Sequence, residues 1–194
     1  MIIIRQIAHQ KSMKKFIKVI FSFLSLLIIA FIIFFFWASS STLNESEYAK
    51  TIIYKYDNAI DNDSIFSIVT YNIGYLSGMT NNRPITKPKE LFDTNLKKVL
   101  TEIKKVNPSI IAFQEIDYNA SRSYYINQQN KIANLGYNNI AKAINWDKKY
   151  IPFPYFPINM HFGKVVSGQS RSKFWQSSFP AIQSQVACLL SIVP

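Results

Sequence analysis

Cysteine is nearly absent from the sequence, since Cys188 is the only one among 194 residues. A single thiol cannot form an intrachain disulfide bond, and it cannot supply the several thiolates of a structural zinc site. Internal repeats are absent as well. The length and the 48% of apolar residues fit one globular domain with an attached hydrophobic segment.

Acidic residues are missing from the beginning of the chain. Five of the 22 basic residues lie in the first 18 positions, and all 11 acids come later, so 17 basic and 11 acidic residues remain for the rest. This mild basicity would suit a phosphate-bearing partner, and a solvated surface explains it equally well. The charge therefore favours no partner by itself.

A long apolar run follows the basic leader, residues 1–15. Residues 16–37 contain one charged side chain, Lys18. About 20 residues at ~1.5 Å each cross the ~30 Å hydrocarbon core of a bilayer. A cleavable signal peptide is the alternative, because "WASSS" follows the run, but its apolar region is usually only about 7–15 residues long. The pattern predicts an uncleaved transmembrane signal anchor over residues 16–37.

The charges beside the apolar run predict its orientation. Lys14, Lys15 and Lys18 crowd the N-terminal side, whereas Glu45 and Glu47 follow the run. Because positive charges stay in the cytoplasm, we expect a single-pass protein of the cell membrane with its C-terminal part outside.

The remaining chain is predicted to have mixed α/β architecture. Residues 38–64 are polar and read as a tether with one short strand at "TIIYKY". Buried strands are predicted over 65–71 and 109–116, and apolar residues at helical spacing predict a helix over 90–106. A second helix over 121–137, capped by Gly136, and a strand over 138–146 follow. Three prolines predict an irregular loop over 147–163.

Two predicted strands end on side chains suited to a hard cation. Asn72 offers a carboxamide oxygen and Glu115 a carboxylate. Mg²⁺ prefers oxygen ligands, keeps several waters and needs only one or two protein carboxylates when it also binds substrate phosphate. An asparagine at a strand end is also a common turn former, and a glutamate is commonly exposed. Residue type alone leaves both interpretations open.

The segments around Asn72 and Glu115 resemble a known protein family. "TYNIGYLSGMTNN" and, about 40 residues later, "PSIIAFQEID" resemble the opening of the endonuclease/exonuclease/phosphatase superfamily, the metal-dependent phosphodiesterases that include deoxyribonuclease I. The similarity continues through "RSYYINQ", "AINWDKKYIPFPYFP" and "HFGKVVSGQ" and covers residues 65–169. The resemblance implies the N-terminal part of a four-layer α/β/β/α sandwich, preceded here by one transmembrane helix.

The resemblance also implies roles for particular residues. Asn72 and Glu115 match the family's catalytic and metal-binding positions, with Gln114 beside them. The implied cofactor is Mg²⁺ or Mn²⁺, which would stabilise charge on the phosphate while an Asp-His pair activates water. The implied substrate is a phosphate ester, and the motifs leave nucleic acid, phospholipid and small esters open.

The distal motifs of the family are absent from this sequence. An Asp-x-Asn and an Asp-His motif would be needed, yet the acidic residues after Glu115 are only Asp117 and Asp147, and neither fits. Residues 170–194 contain no acid and do not continue the family pattern. We therefore expect an incomplete copy of a phosphoester hydrolase with a truncated or frameshifted tail. The alternative is a non-catalytic anchored binding or scaffold domain with remnant metal residues.

Three further residues are weaker candidates. Asp117 is predicted to lie on the same side of its strand as Glu115, either behind the metal ligands or as a solvated turn residue. Arg122 is a candidate substrate contact, and a surface arginine is the simpler interpretation. His161 is a candidate phosphate neighbour, with a structural role in an aromatic loop as the alternative.

Overall fold

The computed structural model describes residues 2–54, 67–80, 83–85 and 87–173, with side chains from Met13 onward. The chain divides into two units, Met1–Ser40 and Ser41–Pro194. The first is a single helix, α1 (Ile2–Ser39). Its segment Met13–Ser39 has a mean hydropathy of 3.1 and is long enough to span a membrane. A signal sequence shares these properties, so α1 is a candidate single span.

The second unit is built on one five-stranded mixed sheet. The strands are β1 (Ala49–Ile53), β2 (Ile68–Asn72), β3 (Ile110–Asp117), β4 (Asn139–Ile151) and β5 (Gly163–Lys173). They are ordered β1-β4-β5-β3-β2. The pair β2–β3 is parallel, and the other three pairs are antiparallel. The predicted mixed α/β class is confirmed, while the second sheet of a four-layer sandwich is not found among the described residues.

Helix α2 (Lys89–Val106) covers one face of the sheet. Its buried residues Phe92, Leu96, Val99 and Ile103 recur every three or four positions and share a core with Ile111 and Phe113 of β3. Asn107 ends the helix in a left-handed conformation, φ 46°, and its N–H donates to the Ile103 carbonyl at 2.8 Å. The predicted helix over 90–106 is confirmed.

The predicted helix over 121–137 is wrong in extent. A 3₁₀ turn spans Ser121–Ser123, and α3 spans only Gln128–Ala133. Tyr124 and Tyr125 lie between them with φ values of 56° and 57°, which a right-handed helix cannot contain. Gly136 follows α3 with φ 110°, and its N–H donates to the Ala133 carbonyl.

The strand β4 is longer than predicted, and the strand β5 was not predicted. The strand β4 continues through Ile151, although residues 147–151 were assigned to an irregular loop, and Pro152 marks its end. The strand β5 continues through Lys173, so the first residues of the predicted atypical tail belong to the sheet. Lys173 lies opposite Ile110 of β3 and Asn139 of β4. The remaining tail, 174–194, lies outside the described residues.

The predicted tether contributes to the sheet. The strand β1, which lies within the predicted tether, pairs with β4 and forms one edge of the sheet. The carboxylate of Asp147 on β4 accepts hydrogen bonds from the Thr42 N–H and hydroxyl, the Leu43 N–H and the Tyr48 hydroxyl at 2.6–2.9 Å. Burial alone would raise the pKa of Asp147, but these hydrogen bonds outweigh it and hold that pKa below its usual value. Residues 42–53 are thus packed onto the domain.

Candidate functional site

The candidate site lies where the parallel strands β2 and β3 end together. Asn72 is opposite Gln114, and the Ile73 N–H donates to the Gln114 carbonyl at 3.1 Å. The carboxyl ends of parallel neighbours meet at one edge of a sheet, so Asn72 is level with the residue that precedes Glu115. The two strand ends that the sequence singled out are therefore neighbours.

Asn72 is exposed and its carboxamide already has a local role. Its Oδ1 accepts a hydrogen bond from the Gly74 N–H at 2.9 Å, which forms an Asx turn. This is the turn-forming role that was the alternative in the sequence. A carboxamide oxygen has two lone pairs, so one remains for a second partner.

Glu115 has a backbone conformation that the sequence did not indicate. Its φ is 52°, and it lies in a β-bulge where the β3–β5 register shifts between Phe113 and Ile116. Phe113 and Ile116 both enter the core, although alternation would send residues three apart to opposite faces. Glu115 is thereby removed from the normal alternation, and its side chain is half-buried. A bulge next to a site commonly redirects a side chain.

Gln114 supports the strand pair. Its Nε2 donates to the Thr70 hydroxyl at 2.9 Å across β2. Thr70 and Asn72 are two residues apart and point to the same side of the sheet. The Gln114 side chain therefore lies on that side and links the ends of the two strands.

Asp117 and Arg122 form a buried ion pair. Arg122 donates to the two carboxylate oxygens from Nη2 at 2.9 Å and from Nε at 3.2 Å. The side chains are 9% exposed for Arg122 and fully buried for Asp117. The predictions of a surface arginine and of a solvated aspartate are wrong, because each charge gives the other a partner that permits burial.

Gln128 connects this ion pair to the loop after β2. Its Oε1 accepts from the Asp117 N–H at 3.0 Å, and its Nε2 donates to the Tyr75 carbonyl at 2.8 Å. Tyr75 has a φ of 54°, and the Arg122 guanidinium lies 3.6 Å from the centroid of its ring. Burial raises the pKa of Tyr75, Arg122 opposes that rise, and the Glu115 charge adds to it. Tyr75 is thus held by Arg122 and Gln128. No motif in the sequence predicted these roles of Tyr75 and Gln128.

A cleft of about 280 Å³ opens on the other side of Arg122. Lys87 and His161 line it with Arg122. Burial and the charge of Arg122 lower the pKa of Lys87. His161 Nδ1 is 2.5 Å from the Tyr150 hydroxyl, and its Nε2 is 3.4 Å from the Tyr155 carbonyl oxygen. The histidine ring is thus held by its own loop, which fits the structural alternative.

The side chains at the two strand ends are of the types that a hydrated Mg²⁺ ion takes as ligands. Glu115 offers one carboxylate and Asn72 one free lone pair, and Mg²⁺ commonly takes its other ligands from water and phosphate. Within the part of the chain that the structure describes, no group of three or more His, Cys, Asp or Glu side chains could hold a metal by itself. A metal here would therefore depend on water and on a ligand's oxygens.

Comparison of the chain with family models, with curated proteins and with solved structures finds no match.

Proposed function

We propose that the domain is a phosphoester hydrolase domain of the endonuclease/exonuclease/phosphatase type, carrying the metal-binding half of the catalytic chemistry. Support comes from the motifs around Asn72 and Glu115 and from the parallel pairing of the strands that carry them. The missing Asp-His motif means that this chain lacks the proton-transfer pair of such an enzyme. The substrate class is an ester of phosphate.

The conformation of Glu115 is the observation that carries the proposal. A non-glycine residue at φ 52° is uncommon, and such conformations cost about 1–3 kcal/mol and concentrate at functional sites. A glycine at this position would avoid that cost. A carboxylate occupies this strained position, at the end of the strand next to the one that carries Asn72, which favours a role in binding.

Each side chain has a distinct part in the proposed chemistry. Glu115 and Asn72 would hold Mg²⁺, which when bound would neutralise charge on a phosphate ester. Gln114 fixes the strand ends through Thr70. The Asp117–Arg122 pair and Gln128 hold the Tyr75 loop against β3. These contacts position the oxygen donors before a ligand arrives.

Replacing Glu115 with glutamine is expected to weaken Mn²⁺ binding by about tenfold or more, because even residues behind a metal ligand are worth about 10–100-fold in affinity. Mn²⁺ is the probe because its electron paramagnetic resonance signal distinguishes bound from free ion. The titration uses the full chain in detergent micelles.

Glu102→Gln is the matched control for this titration. Glu102 is 64% exposed on α2, where it pairs with Lys105. The same change of charge there should leave Mn²⁺ affinity unchanged. Equal affinity of the Glu115→Gln variant and the unmodified chain would refute the metal site.

A second candidate function is a non-catalytic anchored binding domain. The use of the Asn72 oxygen in an Asx turn favours it, because that contact explains the residue without a metal. The Mn²⁺ titration separates the two functions. Because the Asp-His pair is missing, a hydrolase domain is expected to bind Mn²⁺ through Glu115 with little or no hydrolysis of a phosphodiester. A binding domain in which Asn72 only forms the Asx turn is expected to show no Glu115-dependent Mn²⁺ binding.

We also propose that α1 anchors the protein in the cell membrane with residues 41–194 outside. Five basic residues lie in the first 18 positions and no acid does. Protease added to intact cells should therefore digest the domain, while an epitope placed before residue 1 stays protected. Digestion of the epitope with protection of the domain would show the opposite orientation.

A further inference from the structure

The connection between β4 and β5 exposes large apolar side chains. We call residues 153–158 the aromatic loop. Phe153 is 37% exposed, Tyr155 and Phe156 are each 81% exposed, and Ile158 is 69% exposed. Such a cluster on a domain surface marks an interaction site.

The aromatic loop is supported from beneath. The Phe153 ring packs edge-on against buried Phe162 with centroids 5.3 Å apart, and it contacts the Tyr155 ring at 6.1 Å. The Phe162 N–H donates to the Phe153 carbonyl at 2.8 Å. Phe153 therefore fixes the base of the loop, while Phe156 and Ile158 remain directed away from the core.

Lysines precede and follow the aromatic loop in the sequence. From residue 148 to residue 173 the sequence has no acid, and Lys148, Lys149 and Lys164 flank the loop. Asp147, the last acid before it, is only 4% exposed and is held by the hydrogen bonds from Thr42, Leu43 and Tyr48. Exposed apolar side chains with lysines on both sides in the sequence are a composition suited to the boundary of an anionic lipid surface.

The chain also limits how far the aromatic loop can lie from the membrane. Thr42, which is bonded to Asp147, follows the last residue of α1 by three positions, and three residues reach at most about 10 Å. From Asp147 to the end of β4 at Ile151 is four residues, or about 13 Å of strand. With the Thr42–Asp147 contact and the two further residues to Phe153, the loop begins within about 35 Å of the end of α1.

We propose that the aromatic loop inserts into the headgroup region of the bilayer that holds α1, with Phe156 and Ile158 as the inserted side chains. The flanking lysines would contact anionic lipid headgroups. This gives the domain a second membrane attachment besides its helix. The inference requires α1 to be a membrane helix and is independent of the proposed metal site, so metal binding and loop insertion can fail separately.

The test measures the depth of a fluorescent label on the full chain. Cys188→Ser removes the native thiol, and Phe156→Cys then carries an environment-sensitive fluorophore. The chain is reconstituted in vesicles that contain anionic lipid and a shallow nitroxide-bearing lipid. Because interfacial segments bury about 5–10 Å into the headgroup boundary, we expect quenching at least about twofold greater than at a control position.

Lys104→Cys supplies the control position. Lys104 is exposed near the C-terminal end of α2. That end adjoins the start of β4, since the Tyr137 hydroxyl donates to the Pro108 carbonyl at 3.2 Å. The aromatic loop lies beyond the opposite end of this 13-residue strand, roughly 40 Å away. Ile158→Cys provides a second test position and should report the same depth as Phe156→Cys.

The pattern of quenching at the labelled positions decides whether the aromatic loop inserts into the bilayer. Strong quenching at positions 156 and 158, weak quenching at 104 and a decrease when anionic lipid is omitted would support insertion. Equal quenching at all three positions would overturn it. A label at 156 that responds to single-stranded oligonucleotide, and is not quenched by nitroxide lipid, would also overturn it and assign the loop to nucleic acid.

Discussion

Replacing Gly168 with alanine is expected to prevent normal pairing of β4 and β5. A Cβ at this position would lie 2.0 Å from the Ala143 carbonyl oxygen and 2.9 Å from the Ile144 Cα. Both are backbone atoms, so no side-chain rotation can relieve the overlap. Gly168 also lies opposite Ile116 of β3, so β5 is held on both sides and cannot move away.

The expected loss of unfolding free energy for Gly168→Ala is at least about 3 kcal/mol, the upper part of the range for overpacked sites. Chemical denaturation of the full chain in micelles, followed by tryptophan fluorescence, measures it. Gly78→Ala is the control, because its Cβ would meet only the Asn95 side chain at 3.6 Å. Gly78→Ala should lower the free energy of unfolding by only about 1–2 kcal/mol, because the positive φ of 62° is the only strain that it introduces. Equal midpoints for both variants would contradict the steric argument.

The second large effect is expected from Arg122→Ala. Removing one partner of a buried ion pair leaves the other charge buried without compensation, which destabilises a protein by about 3–5 kcal/mol. Here the Asp117 carboxylate would lose both Arg122 hydrogen bonds and keep its hydrogen bond with Ser123. The Tyr75 ring would lose its contact with the guanidinium as well.

The loss should depend on pH. Burial raises the pKa of Asp117, while Arg122 and the Ser123 hydrogen bond oppose the rise, so the variant removes the larger opposing contribution and the pKa rises further. A carboxyl group whose pKa is higher in the folded than in the unfolded chain stabilises the fold when pH is below the unfolded pKa, about 3.9. As pH rises through the pKa of the folded chain, this stabilisation is lost. Arg122→Ala should therefore be more destabilising at pH 8 than at pH 5.

Trp146 is a suitable reporter for this variant, because its ring lies 5.2 Å from the Arg122 guanidinium. Glu102→Gln, which removes an exposed ion pair on α2, should leave the unfolding midpoint unchanged at both pH values. An Arg122→Ala chain that unfolds at the same denaturant concentration as the unmodified chain would show that the pair does not support the fold.

The elements predicted well are those defined by local periodicity. Helix α2 was recognisable because Phe92, Leu96, Val99 and Ile103 recur at helical spacing and Asn107 precedes a proline. The break between Ser123 and Gln128 was not predictable, because tyrosine has no general preference for positive φ. The place of β1 in the sheet was missed because it depends on pairing with β4, about 90 residues away in sequence.

In the candidate site, too, the sequence predicted local features and did not predict those that depend on strand pairing. The sequence predicted that two strands end on Asn72 and Glu115, and the structure shows that these strands are parallel neighbours. The sequence could not reveal the bulge at Glu115, because strand alternation assumes regular pairing with β5. Nor could it reveal that Arg122 is buried, because burial requires Asp117 in bidentate contact.

A double-mutant cycle of Mn²⁺ affinity tests most directly the proposal that Asn72 and Glu115 bind one metal ion together. The cycle compares the unmodified chain with Asn72→Ala, Glu115→Gln and the double variant. Ligands of a shared ion are coupled, so the double variant should bind no more weakly than Glu115→Gln alone, with a coupling of about 0.5–3 kcal/mol. Losses that add independently, or no loss in either single variant, would contradict a shared metal site.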